Sequence, residues 1–303
     1  MELIGKTHRQ LITINKEVGH LYVPSINARI MDQDGGYFFK TNSAGFRSNI
    51  EFKKKKEKTR ILFFGDSNTA GDGVANEFRF SDLLGRNLNV EIFNYAVSGT
   101  GTDQQLLVAE KFAKNIDADL IIFGVLVENI ERNKVKYRET INFFTKKRSL
   151  TPKPFFKFNG RELILESMAE KAKNSNQEIK KEDVQWTIPY NQRFLYKFVN
   201  LIRNNRYFSL LEQKYEKKIS LIRSKLIKFF YQPYSDYKDP KSMGFLLMKN
   251  IIIRFLKNFN KTPVIIMPIP TYHYYVDEAK PIYQNFFNSF NQEKENVYIC
   301  DPL

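Results

Sequence analysis

The sequence predicts an α/β protein: a flavodoxin-like parallel sheet in three layers, with helices on both faces, an N-terminal extension and a helical insertion. Two observations carry this. Three short strand-like stretches, over residues 61–64, 90–95 and 119–127, follow one another about thirty residues apart, the spacing that a strand–helix–strand unit requires. Each run then ends in a polar or glycine-containing turn. In a parallel sheet such turns share one edge, where open α/β sheets bind their ligands.

The elements follow in order. Residues 1–58 read as an extension. Its start mixes His8, Arg9, Lys16 and Glu17 with apolar residues, so it has no signal-peptide core; His8 and His20 are expected at the surface. The first strand runs into Gly65-Asp66-Ser67-Asn68-Thr69-Ala70-Gly71. Gly65 permits a sharp exit from the strand. A helix from Thr69 onward would point its first N–H groups back toward Ser67. This places a serine where a hydrolase holds its nucleophile. The plain alternative is a turn in which Asp66 and Ser67 merely cap the helix.

The second strand leads into a small, glycine-rich turn over residues 96–105, and the third into Glu128-Asn129-Ile130-Glu131-Arg132-Asn133. Taken singly, Gly99 reads as a turn glycine with positive φ and Asn129 as a helix N-cap. The stretch after the third strand, about residues 134–245, is too long for one crossover and reads as an inserted cap. It holds a hairpin signal at Asn159-Gly160, a polar stretch over 166–185 without apolar period, and a helical pattern over 191–230 rich in Lys, Arg, Tyr and Phe. Residues 217–230 read as a basic amphipathic helix. That helix suits an anionic membrane surface or a lid over the Ser67 crevice; the plain alternative packs it on the domain with its lysines in water. A fourth apolar run spans 264–270, followed by His273 with Asp277 four residues on. A last strand is expected at 296–301, with Cys300 as a small buried hydrophobe.

These blocks resemble the SGNH (GDSL-type) hydrolases, in their bacterial esterase and acyltransferase-like branch. Gly65-Asp66-Ser67 with Gly71 matches the family's first block, Gly99 the second, and Asn129 the third. The family usually has Asn-Asp in the third block, whereas this chain has Asn129-Ile130. The run Thr41-Asn42-Ser43-Ala44-Gly45-Phe46-Arg47 is similar to the lead-in of that branch. The resemblance covers residues 37–133 well and 246–303 more loosely. It implies an α/β core over 59–133 and 246–303, with Ser67 as nucleophile. It also implies an oxyanion hole built from the N–H of Ser67, the N–H of Gly99 and the side chain of Asn129. Donors of this kind each contribute about 3 kcal/mol to the transition state of acyl transfer.

A serine nucleophile needs a base, and the family supplies it from an Asp-x-x-His block after the last strand. No Asp-x-x-His occurs in the sequence, whose three histidines are His8, His20 and His273. His273 is a candidate substitute on the expected edge of the sheet, oriented by Asp277 if the segment is helical. The plain alternative is a loop histidine that transfers no proton. Two explanations of the missing block are open: a truncated version of a longer enzyme, or a degenerate, binding-only member. Truncation is preferred, because a last strand left without its covering helix exposes apolar surface worth about 25 cal/mol per Å².

Composition is consistent with this. The chain has 303 residues, 42% hydrophobic, enough for one large domain with an insertion. No apolar run reaches the roughly 18 residues of a membrane helix. A single cysteine makes no internal disulfide, and this points to the cytoplasm. The formal net charge of +15 is concentrated in residues 53–58 and in the insertion, which fits contact with an anionic surface. Basic and aromatic interleaving permits nucleic-acid binding, but no recognised module supports it. No metal-ligand cluster or phosphate-binding loop is found, so no cofactor is expected. The reading is an esterase or O-acyltransferase acting on an ester-containing small molecule or O-acylated glycan. The rival is a non-catalytic binding or assembly protein on the same fold.

Overall fold

The computed structural model of the protein describes residues 2–4, 11–30, 36–141, 148–168, 184–185, 233–275, 279–292 and 295–303. Strands β1 (Glu2–Ile4), β2 (Ile12–Asn15), β3 (Gly19–Tyr22), β4 (Asn27–Ile30) and β5 (Tyr37–Lys40) open the chain. β2 and β3 form an antiparallel hairpin, and β1, β4 and β5 a separate small sheet. Next come β6 (Arg60–Phe64), α1 (Ser67–Ala70), α2 (Phe80–Leu88), β7 (Glu91–Asn94), α3 (Thr102–Val108), β8 (Leu120–Leu126) and α4 (Asn129–Arg132). β9 (Tyr137–Ile141), β10 (Arg148–Pro152), β11 (Phe155–Phe158), β12 (Leu163–Glu166) and β13 (Val184–Gln185) follow. The chain closes with α5 (Met243–Asn258), β14 (Val264–Ile269), α6 (Tyr272–Tyr275), α7 (Gln284–Asn288) and β15 (Val297–Ile299).

The central sheet has five parallel strands in the order β15-β14-β8-β6-β7. Leu62 stands between Ile121 and Phe93, which fixes the register of β8, β6 and β7. Side chains alternate across a strand. Leu62, Phe64, Ile121 and Phe123 therefore face the larger core, and Ile61, Phe63 and Ile122 face the other side against Leu84 of α2. A strand buried on both faces has no polar alternation, which is why β6 reads as an unbroken apolar run.

Helix α5 seals the larger face. Leu247, Met248, Ile251, Ile252, Phe255 and Leu256 are buried, a helical repeat that makes one apolar stripe. The Ser242 hydroxyl caps it by accepting from the Phe245 N–H at 3.2 Å. Phe255 stacks on Phe123 with centroids 3.9 Å apart. Burying one such ring contributes about 2–3 kcal/mol. The same core takes in Leu11, Val18, Leu21, Tyr22, Phe39 and Phe46 from the N-terminal strands.

Arg60 holds residues 53–58 against the opposite edge of the sheet. It is buried, pairs with Glu91 at 2.9 Å, and donates to the carbonyls of Lys54 and Lys55. The side chains of Lys53, Lys54 and Lys55 are left toward water while the backbone is anchored, and Lys56 pairs with Asp117 and Asp119.

Several expectations need correction or stay open. The helix after β6 starts at Ser67 rather than at Thr69, because Asp66 is extended and caps it, and it is a single turn because Gly71 takes the left-handed conformation at φ 72° and ends it. Cys300 is exposed: β15 is an edge strand ending at Ile299, and Cys300 joins it only through its N–H, donated to the Ile266 carbonyl at 3.0 Å. The hairpin forms, with β11 antiparallel to β12 and Gly160 at φ 94°. The helical pattern over 191–230, its basic segment 217–230 and His8 lie outside the described residues, as does most of 166–185. No helix among the described residues is long and apolar enough to cross a membrane.

Candidate active site

Ser67, Gly99 and Asn129 sit in the turns that follow β6, β7 and β8, three adjacent parallel strands. All three turns therefore lie at the C-terminal edge of the sheet.

In the first turn Asp66 is the N-cap of α1, with Oδ1 accepting from the Asn68 N–H at 3.0 Å. Burial raises its carboxyl above the usual range, opposed by Arg132 and by the bonds from Asn68. Ser67 does not cap. It is the first helical residue and is half-buried, and neither its N–H nor its hydroxyl is hydrogen-bonded among the described residues. The turn can lie close to the sheet because Gly65 and Gly124 leave room for Thr69; a Cβ on either glycine would collide with Oγ1 of Thr69.

Arg47, from the lead-in segment, fastens the far end of this turn. Its buried guanidinium donates to the carbonyls of Gly71 at 2.6 Å and Ala70 at 3.3 Å, to the Val74 carbonyl, and to Asn76 Oδ1 at 2.8 Å. Burial lowers it to about 10, so it stays charged at neutral pH and satisfies carbonyls that α1 leaves open.

The second turn closes with the Thr100 N–H on the Val97 carbonyl at 3.3 Å, and Gly99 has φ 79°. That is a type II turn, with Ser98 and Gly99 as its central pair. Asn94 links this turn to the first, donating from Nδ2 to the Thr69 carbonyl at 2.9 Å. Ser98 Oγ donates to Asp72 at 2.6 Å, so the Tyr22 hydroxyl donates to Ser98 Oγ at 2.6 Å and accepts the Ser98 N–H at 2.9 Å.

His20 is not a surface residue. It is partly buried, and its Nε2 lies 2.8 Å from the Ser98 carbonyl oxygen. A carbonyl only accepts, so Nε2 carries the proton. Burial pushes the imidazole down to about 4; the bond to Ser98 opposes this, while Arg138 and Lys153 add to it. A Cβ on Gly99 would meet Arg138 Nη1 at 2.8 Å and His20 Nε2 at 3.9 Å.

Asn129 opens α4, whose N-cap is Glu128, so it does not serve as the cap. It is fully buried, and neither Nδ2 nor Oδ1 has a partner among the described residues. Ile130, where the family usually has Asp, is a core residue with no exposure. One turn on, Arg132 joins all three loops. It donates to Glu128 Oε1 at 3.2 and 3.3 Å, to the Thr100 carbonyl at 3.3 Å and to Asp66 Oδ2 at 3.5 Å. Beneath the second turn, Lys153 and Asp103 form a buried ion pair.

His273 is the second residue of α6, directly after β14 and at the same edge of the sheet. Its side chain and Asp277 lie outside the described residues. His20, Tyr22 and Arg132 were not legible as site residues. The two from β3 stand 78 and 76 positions from Ser98, a separation that no local motif spans.

Residues 61–147 match the GDSL-like Lipase/Acylhydrolase family, the stretch that holds all three turns. The match agrees with the resemblance read from the sequence, and the parallel sheet flanked by helices is the α/β, flavodoxin-like arrangement that the resemblance implies. No curated protein matches the chain in sequence. Similar solved structures include a family two carbohydrate esterase from Clostridium thermocellum in complex with cellohexaose, at 10% identity and TM-score 0.36. Others are the lipase Lip_vut3 from a goat rumen metagenome, at 11% and 0.32, and the acetyl xylan esterase Est2A from the rumen bacterium Butyrivibrio proteoclasticus, at 11% and 0.33. The matches cover 83%, 80% and 87% of this chain, and 56%, 79% and 60% of those proteins.

Proposed function

We propose that the protein is a serine ester hydrolase or O-acyltransferase. Ser67 attacks an ester carbonyl, and the resulting acyl-enzyme is released to water or to a sugar hydroxyl. The N–H groups of Ser67 and Gly99 and Nδ2 of Asn129 stabilise the oxyanion. One observation carries this reading: these three donors stand in adjacent turns at one sheet edge, and none is committed to an acceptor among the described residues. Buried donors are otherwise nearly always paired, and a site that stabilises developing charge keeps its donors free for it. Asn129 supports the reading most, because its amide is buried, uncapped and unpaired.

His273 is the candidate base, on the strength of its place after β14. An O-acylated glycan is the proposed substrate class, carried by the resemblance to the family. The experiment is hydrolysis of a short-chain chromogenic ester by the protein and by Ser67→Ala. Activity that disappears with the hydroxyl supports the mechanism; activity that persists removes Ser67 from it. A His273→Ala variant of unchanged rate would dispose of His273 as base. A protein that is inactive on esters yet binds acylated glycan would favour the binding reading.

A further inference from the structure

We infer that His20, from the N-terminal hairpin, is a positioning residue that locks the Ser98–Gly99 peptide in the orientation the oxyanion hole needs. The inference rests on the reading of Gly99 as an oxyanion donor and extends the machinery of that site to a segment outside the family match.

The argument starts from the peptide unit. The chain has no cis peptide bonds among its described residues, so the Ser98 carbonyl and the Gly99 N–H project from opposite sides of one planar group. Fixing the carbonyl therefore fixes the N–H. The Ser98–Gly99 peptide is also the central peptide of the type II turn. Types I and II differ mainly in the orientation of that peptide: ψ of the first central residue moves from about −30° to +120°, and φ of the second from about −90° to +80°. Glycine adopts either sign of φ readily, so Gly99 by itself does not choose. A flip would exchange the N–H for the carbonyl and set a lone pair where the oxyanion requires a donor.

Three contacts oppose that flip. His20 Nε2 donates to the Ser98 carbonyl at 2.8 Å. The Tyr22 hydroxyl accepts the Ser98 N–H at 2.9 Å. Arg132 donates to the Thr100 carbonyl at 3.3 Å. Tyr22 holds the preceding peptide and Arg132 the Thr100–Gly101 peptide beyond the turn, and His20 alone of the three holds the peptide that carries the Gly99 N–H. The imidazole donates from Nε2 whether neutral or protonated, so the lock does not depend on its charge. β2 and β3 deliver it, with His20 paired to Ile14 across the hairpin.

The test uses His20→Leu, which removes the donor, and His20→Gln, whose side-chain amide places a donor near the position of Nε2. On a chromogenic ester that the wild type hydrolyses through Ser67, His20→Leu should lose about 100-fold in kcat with KM changed by less than about threefold, the scale of losing one oxyanion donor. His20→Gln should recover to within about tenfold of wild type. A folded His20→Leu variant of wild-type kcat would overturn the inference. So would a loss shared equally with KM, or one that Gln does not rescue. If His20→Leu does not fold, His20→Gln decides alone: recovery supports the lock and a 100-fold deficit overturns it. If the wild type is inactive, the proposed reaction fails first, and a crystal structure of His20→Leu isolates the lock. A flipped or doubled Ser98–Gly99 peptide supports it, and an unchanged one overturns it.

Discussion

A buried side-chain amide with neither polar atom bonded costs about 1–3 kcal/mol, and among the described residues Asn129, at the head of α4, has no partner to offset it. A residue selected for stability alone would not be an asparagine. Asn129→Leu, close in shape and free of polar atoms, should therefore leave Tm unchanged or raise it while lowering kcat about 100-fold. Thermal denaturation and an ester assay on one preparation check both halves. A drop in Tm with activity intact would make Asn129 a packing residue. His20 sets a second expectation at this scale. Its folded pKa of about 4 lies below the unfolded value of 6.5, so the unfolded chain binds the extra proton between those values. The stabilisation is present above pH 6.5 and is lost as pH falls toward 4. In paired pH titrations of stability, His20→Gln should lack this part of the acid-side decline.

At the scale of elements, the site depends on short pieces rather than long helices. α1 is a single turn, too short to be stable alone, and it is held by Arg47 from one side and by the fit of Thr69 between Gly65 and Gly124 from the other. Arg47→Lys keeps the charge but loses the planar fork that reaches several carbonyls at once. It should destabilise the protein by about 2–4 kcal/mol, read as a lower denaturant midpoint. Gly124→Ala sits outside the three turns yet would push Thr69 off the sheet, so it should lower both stability and kcat. Arg132 ties together the loops after all three strands, and Arg132→Gln should reduce kcat more than it raises KM. Steady-state kinetics of the two variants separate displacement of α1 from loosening of the loops.

At the scale of the whole molecule, β6, β8 and β14 are legible because inner strands of the sheet leave nearly unbroken apolar runs. The turns were legible because a parallel sheet gathers them at one edge. What escaped has a common physical cause. His20 and Tyr22 meet Ser98 through tertiary packing of an N-terminal hairpin, and neither belongs to a local pattern near the turn. Cys300 was misplaced because an apolar run does not show whether its strand lies in the middle or at the edge of the sheet. Ile130 departs from the family's third block because this chain uses the position for core packing. The most direct test of the account is reaction of the protein with a fluorophosphonate, followed by peptide mapping. The account predicts a stoichiometric adduct on Ser67 that is absent in Ser67→Ala; an adduct on another residue, or none in a protein that hydrolyses esters, would contradict it.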